Sequence, residues 1–476
     1  MDRRIYKHPI LSFQRGRRVE IIFEGKRVTA YEGESIAAAL YANGVDVFSW
    51  SLKFNRPRGV FCMIGKCSSC FMRVNGVPNV RTCIEPVKDG LVVERQKGLP
   101  SIPLTESSTK VEKKYIETDL LVIGGGPAGL SAALTGSKYG LKVVLVDEGL
   151  KLGGQLVKQT HIFFGSKEFF GGLRGFQVGE KLAKEVYSRD NIRVLSRTSV
   201  YGYFRGGVFG LASHNKIYYV KPKTVVVSTG AVERFLLFPN NDLPGIMGAG
   251  GAQTLMNQYG ILPGEKVLVV GAGNVGLIVS YQLLQAGAKV IAVLEIMKEI
   301  GGWFVHAAKL RRYGVPILTG YTLKEAIGKE RAEGAVIVKV DDKFRPIPGT
   351  ERKIECDLIL LAIGLAPDTR LLAQMGVKMA WIPELGGLVP LRTRYMETSI
   401  PGVYVAGDSS GIEEATTAII EGEIAALSAV LRLKGFIKEA FERREKLLKF
   451  LWEEYRSSPL LARARIGKEK ATVERW

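Results

Sequence analysis

Four of the chain's five cysteines fall within a stretch of about twenty residues, as Cys62, Cys67, Cys70 and Cys83 in RPRGVFCMIGKCSSCFMRVNGVPNVRTC. The spacing is Cys-x4-Cys-x2-Cys-x12-Cys. Four thiolates complete the ligand set of a 2Fe-2S cluster, and three ligands on one loop with the fourth further along is a spacing in which such clusters are held. Gly65, Ser68 and Ser69 keep the loop small, which lets backbone N–H groups turn toward the sulfurs. Structural zinc also takes four thiolates but favours paired Cys-x2-Cys knuckles, and only one such knuckle is present. The fifth cysteine, Cys356, stands alone beside the apolar run DLILLAIG and reads as a small buried hydrophobe.

Two further segments are built to hold phosphate. DLLVIGGGPAGLSAALTGSKYGLKVVLVDEG reads as strand, glycine turn, helix and strand, with Gly124 making the turn, Gly126 admitting a pyrophosphate to the helix N-terminus and Gly129 allowing close packing. Asp147 ends the second strand, where an acid would accept ribose hydroxyls. KVLVVGAGNVGLIVSYQLLQAGAKVIAVLE repeats the unit with Gly271, Gly273, Gly276 and the acid Glu295. A carboxylate there favours NAD over NADP, because it repels a 2'-phosphate. Glu295 falls one position later in its block than Asp147 does. A glycine turn can also persist for packing alone, and any adenine nucleotide could occupy the second fold.

The elements that position these residues follow from pattern. Residues 18–32 alternate apolar and polar around a Glu-Gly pair, as a β-hairpin does. GESIAAALYANGV reads as a short helix stopped near Gly44, and DGLVVERQ as a closing strand. After Thr118, Val/Ile/Leu runs alternate with Ala/Gly-rich helical stretches, the pattern of parallel sheets with crossover helices. The expected organisation is an N-terminal extension at 1–17, a 2Fe-2S ferredoxin-like domain at 18–97 and a linker at 98–116. A first nucleotide domain is expected at 117–239 and 367–430, a second at 240–366, and a charged helical tail at 431–476.

Length and composition agree with several globular domains: 476 residues, 46% hydrophobic and 24% charged. No window approaches the roughly 18 unbroken apolar residues of a membrane span. The basic start lacks the apolar core of a secretory signal, so a cytoplasmic protein is expected. The net charge of +20 is spread along the chain and interleaved with Glu, as in FERREKLLKFLWEEYR, which reads as a salt-bridged helix face. Nucleic-acid binding, which rewards clustered Lys and Arg, is not expected, and an acidic protein partner fits better. The wealth of Lys, Arg and Glu with few His and Cys fits a thermophile.

Residues 225–253 (VVVSTGAVERFLLFPNNDLPGIMGAGGAQ), 359–369 (ILLAIGLAPDT) and 402–411 (GVYVAGDSSG) resemble the two-dinucleotide-domain flavoproteins. The branch is that of heteromeric sarcosine oxidase α subunits, hydrogen cyanide synthase, opine oxidase and archaeal dye-linked L-proline dehydrogenase complexes. The resemblance spans about residues 18–430. It implies an α/β chain with two Rossmann-like dinucleotide-binding domains of the glutathione/thioredoxin reductase type, preceded by a β-grasp ferredoxin-like 2Fe-2S domain. It implies FAD in the first domain, with Gly407 and Asp408 matching the motif that accepts the ribityl hydroxyl and Gln155 matching a flavin-proximal position. The helix in EEATTAIIEGEIAA would aim its N-terminus at the flavin's pyrimidine end, favouring the anionic reduced form. Thr229 and Gly230 match the crossing into the second domain, which would hold NAD(H) or another adenine nucleotide, and Gly364 matches the return crossing.

The redox-active Cys-x2-Cys that thioredoxin reductases carry in their nucleotide folds is absent, so dithiol exchange is not expected. With four histidines and no Ser/His/Asp set, chemistry must come from the cofactors, and no side chain is assigned a catalytic role. The resemblance implies a partner dehydrogenase flavoprotein subunit that oxidises an amine or imino acid, and in some complexes small ferredoxin-like subunits. Two other readings remain: a self-sufficient NADH:acceptor oxidoreductase, and a non-catalytic subunit that binds adenine nucleotide for stability.

Overall fold

A computed structural model describes residues 2–101 and 111–476, so residues 102–110 of the expected linker lie outside the described residues. The chain divides into two compact units, Met1–Glu106 with Glu233–Gly364, and Ser107–Val232 with Leu365–Trp476.

In the first unit, a five-stranded mixed sheet runs Lys26–Tyr31, Arg18–Phe23, Val92–Arg95, Phe71–Val74, Val77–Arg81. Its first hairpin turns at Glu24 and Gly25, both at positive φ (50° and 79°), the two-residue turn whose twist suits paired strands. The helix Ile36–Ala42 is buried along its whole length, and Ser35 caps it by accepting the Ala38 N–H at 3.2 Å. A second sheet, all parallel, runs Ile246–Gly248, Leu358–Leu361, Lys266–Val270, Lys289–Glu295, Ile317–Thr319.

These two sheets do not form separate cores. Ile21, Leu40 and Met72 of the N-terminal part share one buried apolar cluster with Met247, Leu255, Val267 and Leu277 of the nucleotide fold. The N-terminal extension stitches them further, since Arg3 N–H bonds the Ala42 carbonyl at 2.9 Å and Ile5 N–H the Gly260 carbonyl at 2.7 Å.

The second unit is built on the sheet Ile192–Leu195, Val143–Val146, Glu112–Ile123, Lys216–Val227, Val208–Ser213, Ser199–Phe204, with Val403–Val405 pairing Lys216–Val227 from the side. Its nucleotide-binding half is parallel and its far edge an antiparallel meander. The helix Ala415–Lys434 lies so close to Pro127–Lys138 that a side chain at Gly422 would strike the Ala128 carbonyl.

The C-terminal residues are part of this unit. Lys438–Lys449 and Ala462–Ala471 are helical, and Thr472–Val473 pairs in parallel with Arg392–Thr393. The expected salt-bridged face exists in the i,i+4 pairs Lys438–Glu442 and Arg465–Glu469. Arg456 and Lys468, however, turn inward and are fully buried, because acidic partners wait for them in the core.

Candidate functional site

The cysteine loop lies between Pro57–Arg58 and Phe71–Val74, with Cys83 after the strand Val77–Arg81. Cys62, Cys70 and Cys83 are buried and Cys67 is partly exposed; all are free thiols. Met63, Gly65 and Ser68 adopt positive φ (53°, 76° and 65°), which curls the loop and turns amides toward sulfur. Gly65 N–H donates to Cys83 Sγ at 3.1 Å and Lys66 N–H to Cys62 Sγ at 3.4 Å.

The thiols contact one another as Cys67 with Cys62, Cys62 with Cys83, and Cys83 with Cys70. Hydrogen bonds from the Cys67 and Cys83 thiols, joined by Ile64 and Lys66 N–H groups, hold Cys62 far below the ordinary thiol range despite its burial. Cys67 is correspondingly pushed up. Among the described residues no three His, Cys, Asp or Glu side chains are placed to hold a single metal ion. The four thiols form one run of contacts, 67–62–83–70, and four cysteines converging on one loop are the donor set that a 2Fe-2S centre takes. Cys356 is buried in the neighbouring sheet core and its thiol is pushed up to about 12 by that burial, which makes it inert.

Both glycine fingerprints take the same shape. At the first, Gly124 has φ +106° and a side chain there would strike the Ser228 carbonyl; at Gly129 one would strike the Gly124 carbonyl. Gly126 instead faces open space, with nothing nearer than the Gly154 Cα at 3.9 Å, and caps Pro127–Lys138 without a side-chain hydrogen bond. With no side-chain cap, this helix N-terminus can take an anion on the amides that follow Pro127. The second fingerprint repeats this with Gly271 (φ +109°), Gly276 against the Gly271 carbonyl, and Gly273 with nothing within 4 Å of its missing side chain.

The carboxylates also correspond. Asp147 accepts Gly125 N–H at 2.6 Å and Gly149 N–H at 2.7 Å, while Glu295 accepts Ala272 N–H at 2.9 Å and Met297 N–H at 3.0 Å. The one-residue offset in the sequence disappears because the strand Lys289–Glu295 carries a bulge: Val267 faces Val290 but Leu268 faces Ala292. Each acid thus stands one residue beyond the pair that ends its ladder, Ile123 with Val146 or Val270 with Leu294.

The other residues implied by resemblance fall at the second unit's nucleotide turn or at chain crossings. Gly153 N–H bonds the Gly125 carbonyl at 2.8 Å, which brings the KLGGQL turn beside the first fingerprint and leaves Gln155 exposed there. Thr229 Oγ1 donates to the Asp368 carbonyl at 2.6 Å, and Asp368 N–H to the Gly230 carbonyl at 2.9 Å. In the first unit Arg234 N–H donates to the Gly364 carbonyl at 3.1 Å. Asp408 follows Gly407, which has φ +70° and whose missing side chain would sit 3.0 Å from Ala128 Cβ. Burial pushes the Asp408 carboxyl up to about 6; Glu421 and Glu413 add to this, and Glu413 N–H and Lys468 oppose it. The Glu413 N–H reaches it only at 3.4 Å, and the residue is only partly buried, which suits a ligand hydroxyl.

Sequence reasoning missed the residues beneath this turn. Arg392, Glu413, Glu421, Arg456 and Lys468 are buried together, and Glu421 accepts the Gly407 N–H at 3.0 Å. For Arg456 and Lys468 the only signal in the sequence was a tail rich in charge, and charge alone does not say which way a side chain faces.

Two dinucleotide folds and a four-thiol domain in one chain define an oxidoreductase that works through nucleotide and iron-sulfur cofactors. The chain belongs to the pyridine nucleotide-disulphide oxidoreductase family, whose model matches residues 118–422; a 2Fe-2S iron-sulfur cluster binding domain matches residues 16–98. The alpha subunit of sarcosine oxidase from Corynebacterium sp. (strain U-96) is 27% identical over 422 residues, 84% of this chain and 42% of that protein. An opine oxidase subunit from Agrobacterium tumefaciens (strain Ach5) is 32% identical over 339 residues, 66% of each. The chain spans less than half the length of the sarcosine oxidase alpha subunits that it matches, 42–46%. The crystal structure of L-proline dehydrogenase from P. horikoshii superposes with a TM-score of 0.70 at 27% identity, over 93% of this chain and 79% of that one. Among the described residues, no helix is long and apolar enough to cross a membrane.

Proposed function

We propose that this chain is an electron-transfer subunit of an amine or imino-acid dehydrogenase complex, with FAD in the first nucleotide fold, NAD(H) in the second and a 2Fe-2S cluster on Cys62, Cys67, Cys70 and Cys83. The observation that carries this reading is that two fingerprints of matching geometry, each with its carboxylate, occur in one chain with a run of contacting thiols. Relatives named as sarcosine oxidase and opine oxidase subunits, and the structural likeness to an L-proline dehydrogenase, support the complex and the class of substrate. A partner dehydrogenase flavoprotein would then supply the electrons.

Flavin supplies the link between two-electron exchange with a nicotinamide and one-electron exchange with iron-sulfur centres. The chain's own residues bind and orient. The open faces at Gly126 and Gly273 admit pyrophosphates to the helix N-termini, and Asp147 and Glu295 present carboxylates at the ribose positions. With FAD bound, Asp408 would accept a ribityl hydroxyl and Gln155 would stand near the flavin, while Thr229, Gly230 and Gly364 shape the crossings. The N-terminus of Ala415–Lys434, which has no side-chain cap, would direct its dipole at the pyrimidine end of a bound flavin. Amides directed at Cys62 and Cys83 favour thiolate ligands.

The decisive experiment is a visible and EPR spectrum of the purified chain with its released nucleotides identified. Flavin bands, a 2Fe-2S signal on reduction and NADH-dependent dye reduction are expected. A colourless protein with zinc on the thiolates would end the reading. Co-purification of a second flavoprotein separates the relay from a stand-alone NADH:acceptor oxidoreductase.

A further inference from the structure

The ionic cluster beneath the Gly407–Asp408 turn joins residues remote in sequence. Glu421 Oε2 accepts the Gly407 N–H at 3.0 Å and the Ser410 hydroxyl at 2.7 Å; its Oε1 accepts Arg456 Nη2 at 2.7 Å and Lys468 Nζ at 2.9 Å. Lys468 also donates to Ser410 Oγ at 2.9 Å. Arg456 grips Glu413 with Nε and Nη2 at 2.9 and 2.6 Å, and Glu413 offers its own N–H to Asp408. Arg392, Arg456 and Lys468 all have side-chain exposure of 0%. Arg392 stands 4.0 Å from Glu421 and bonds Thr472 Oγ1 at 2.9 Å.

Stripping water from so many charges is costly, and well-packed apolar residues would serve stability as well or better. What the cluster supplies is a fixed position. Of the turn's contacts, those through Gly407 and Ser410 to Glu421 and through Asp408 to Glu413 lead to the same two cations, while Ser409 bonds the Val227 carbonyl. We infer that residues 438–473 are a positioning element of the first nucleotide site: Arg456 and Lys468 anchor Glu421 and Glu413, which hold the Gly407–Asp408 turn in the shape that receives a flavin's ribityl chain. The inference rests on the assignment of FAD to that site.

The charged groups facing Asp408 are Glu413, Glu421 and Lys468, with Arg456 and Arg392 behind them. Lys468 draws the Asp408 carboxyl down and the glutamates push it up, so removing Lys468 moves its titration to higher pH. The test measures FAD affinity against pH in the full chain carrying Lys468→Met, with Lys468→Arg as the conservative variant. For Lys468→Met, affinity at neutral pH is expected to fall at least about tenfold and the midpoint of its pH dependence to rise. Lys468→Arg should bring the midpoint back toward that of the unaltered chain. The EPR signal of the cysteine centre, in the other unit, reports that the rest of the protein is intact.

Should Lys468→Met fail to fold, the double variant Glu421→Gln/Lys468→Met removes both charges of the pair and is expected to show the same loss of affinity. A folded Lys468→Met with unchanged FAD affinity and midpoint, or a folded double variant with unchanged FAD affinity, overturns the inference alone. Failure of the unaltered chain to bind FAD at all overturns the assignment of the site, and the inference with it.

Discussion

At the scale of single residues, the structure separates glycines that keep the fold from glycines that admit a ligand. Gly129→Ala would drive a methyl into the Gly124 carbonyl and is expected to destabilise the second unit by several kcal/mol, read as a lowered melting temperature. Gly273→Ala meets nothing within 4 Å, so the protein should melt as before while binding NADH more weakly. An equal loss of stability in both variants would refute the distinction. Cys83→Ser removes one ligand of the buried pair with Cys70 and should abolish the 2Fe-2S EPR signal and lower the iron content. For Asp408 the sign follows from an upward shift, from 3.8 to about 6. The folded carboxyl keeps its proton to higher pH than the unfolded one, a stabilisation present below about 3.8 and lost as pH rises through about 6. A ribityl hydroxyl donates to the ionised form, so FAD should bind about tenfold more weakly at one pH unit below that value than above it. Asp408→Asn should flatten the dependence; a flat profile in the unaltered chain would remove Asp408 from the site.

At the scale of elements, what could be read from sequence was what repeats locally. The Glu24-Gly25 hairpin, the helix Ile36–Ala42 and both strand–turn–helix–strand fingerprints follow from period, turn residues and glycine spacing, and the structure has each of them. The bulge in Lys289–Glu295 left one trace, the acid falling one position late in its block, and only the partner strand reveals its cause, that Leu268 skips to Ala292. That bulge returns Glu295 to its station. Glu295→Gln keeps one accepting oxygen where two now hold Ala272 and Met297, and is expected to weaken NADH binding about tenfold by loosening the glycine turn. Unchanged NADH affinity would mean that the carboxylate has no part in the site. The inward turn of Arg456 and Lys468 was hidden for a different reason: their acidic partners lie 35 and 47 residues earlier in the chain.

At the scale of the whole molecule, the two units have their own buried cores, and the N-terminal cysteine domain shares the first unit's core with the second nucleotide fold. Local pattern marks where a sheet begins but does not record that two sheets share one apolar interior. Calorimetry should therefore resolve a transition that FAD raises and another that NADH raises, each by about 2.7 kcal/mol at a hundredfold excess over the dissociation constant. A single transition moved equally by both ligands would contradict this. The late arrival of the buried cations also bears on biosynthesis. The glycines of the first fingerprint precede all of this cluster in the chain, and Glu421 is made 35 and 47 residues before the arginine and lysine that bond it. Until residues 456 and 468 are translated, Glu421 has only Arg392 beside it, so a turn of fixed shape at Asp408 is expected only after fingerprint, acid and both later cations have been made.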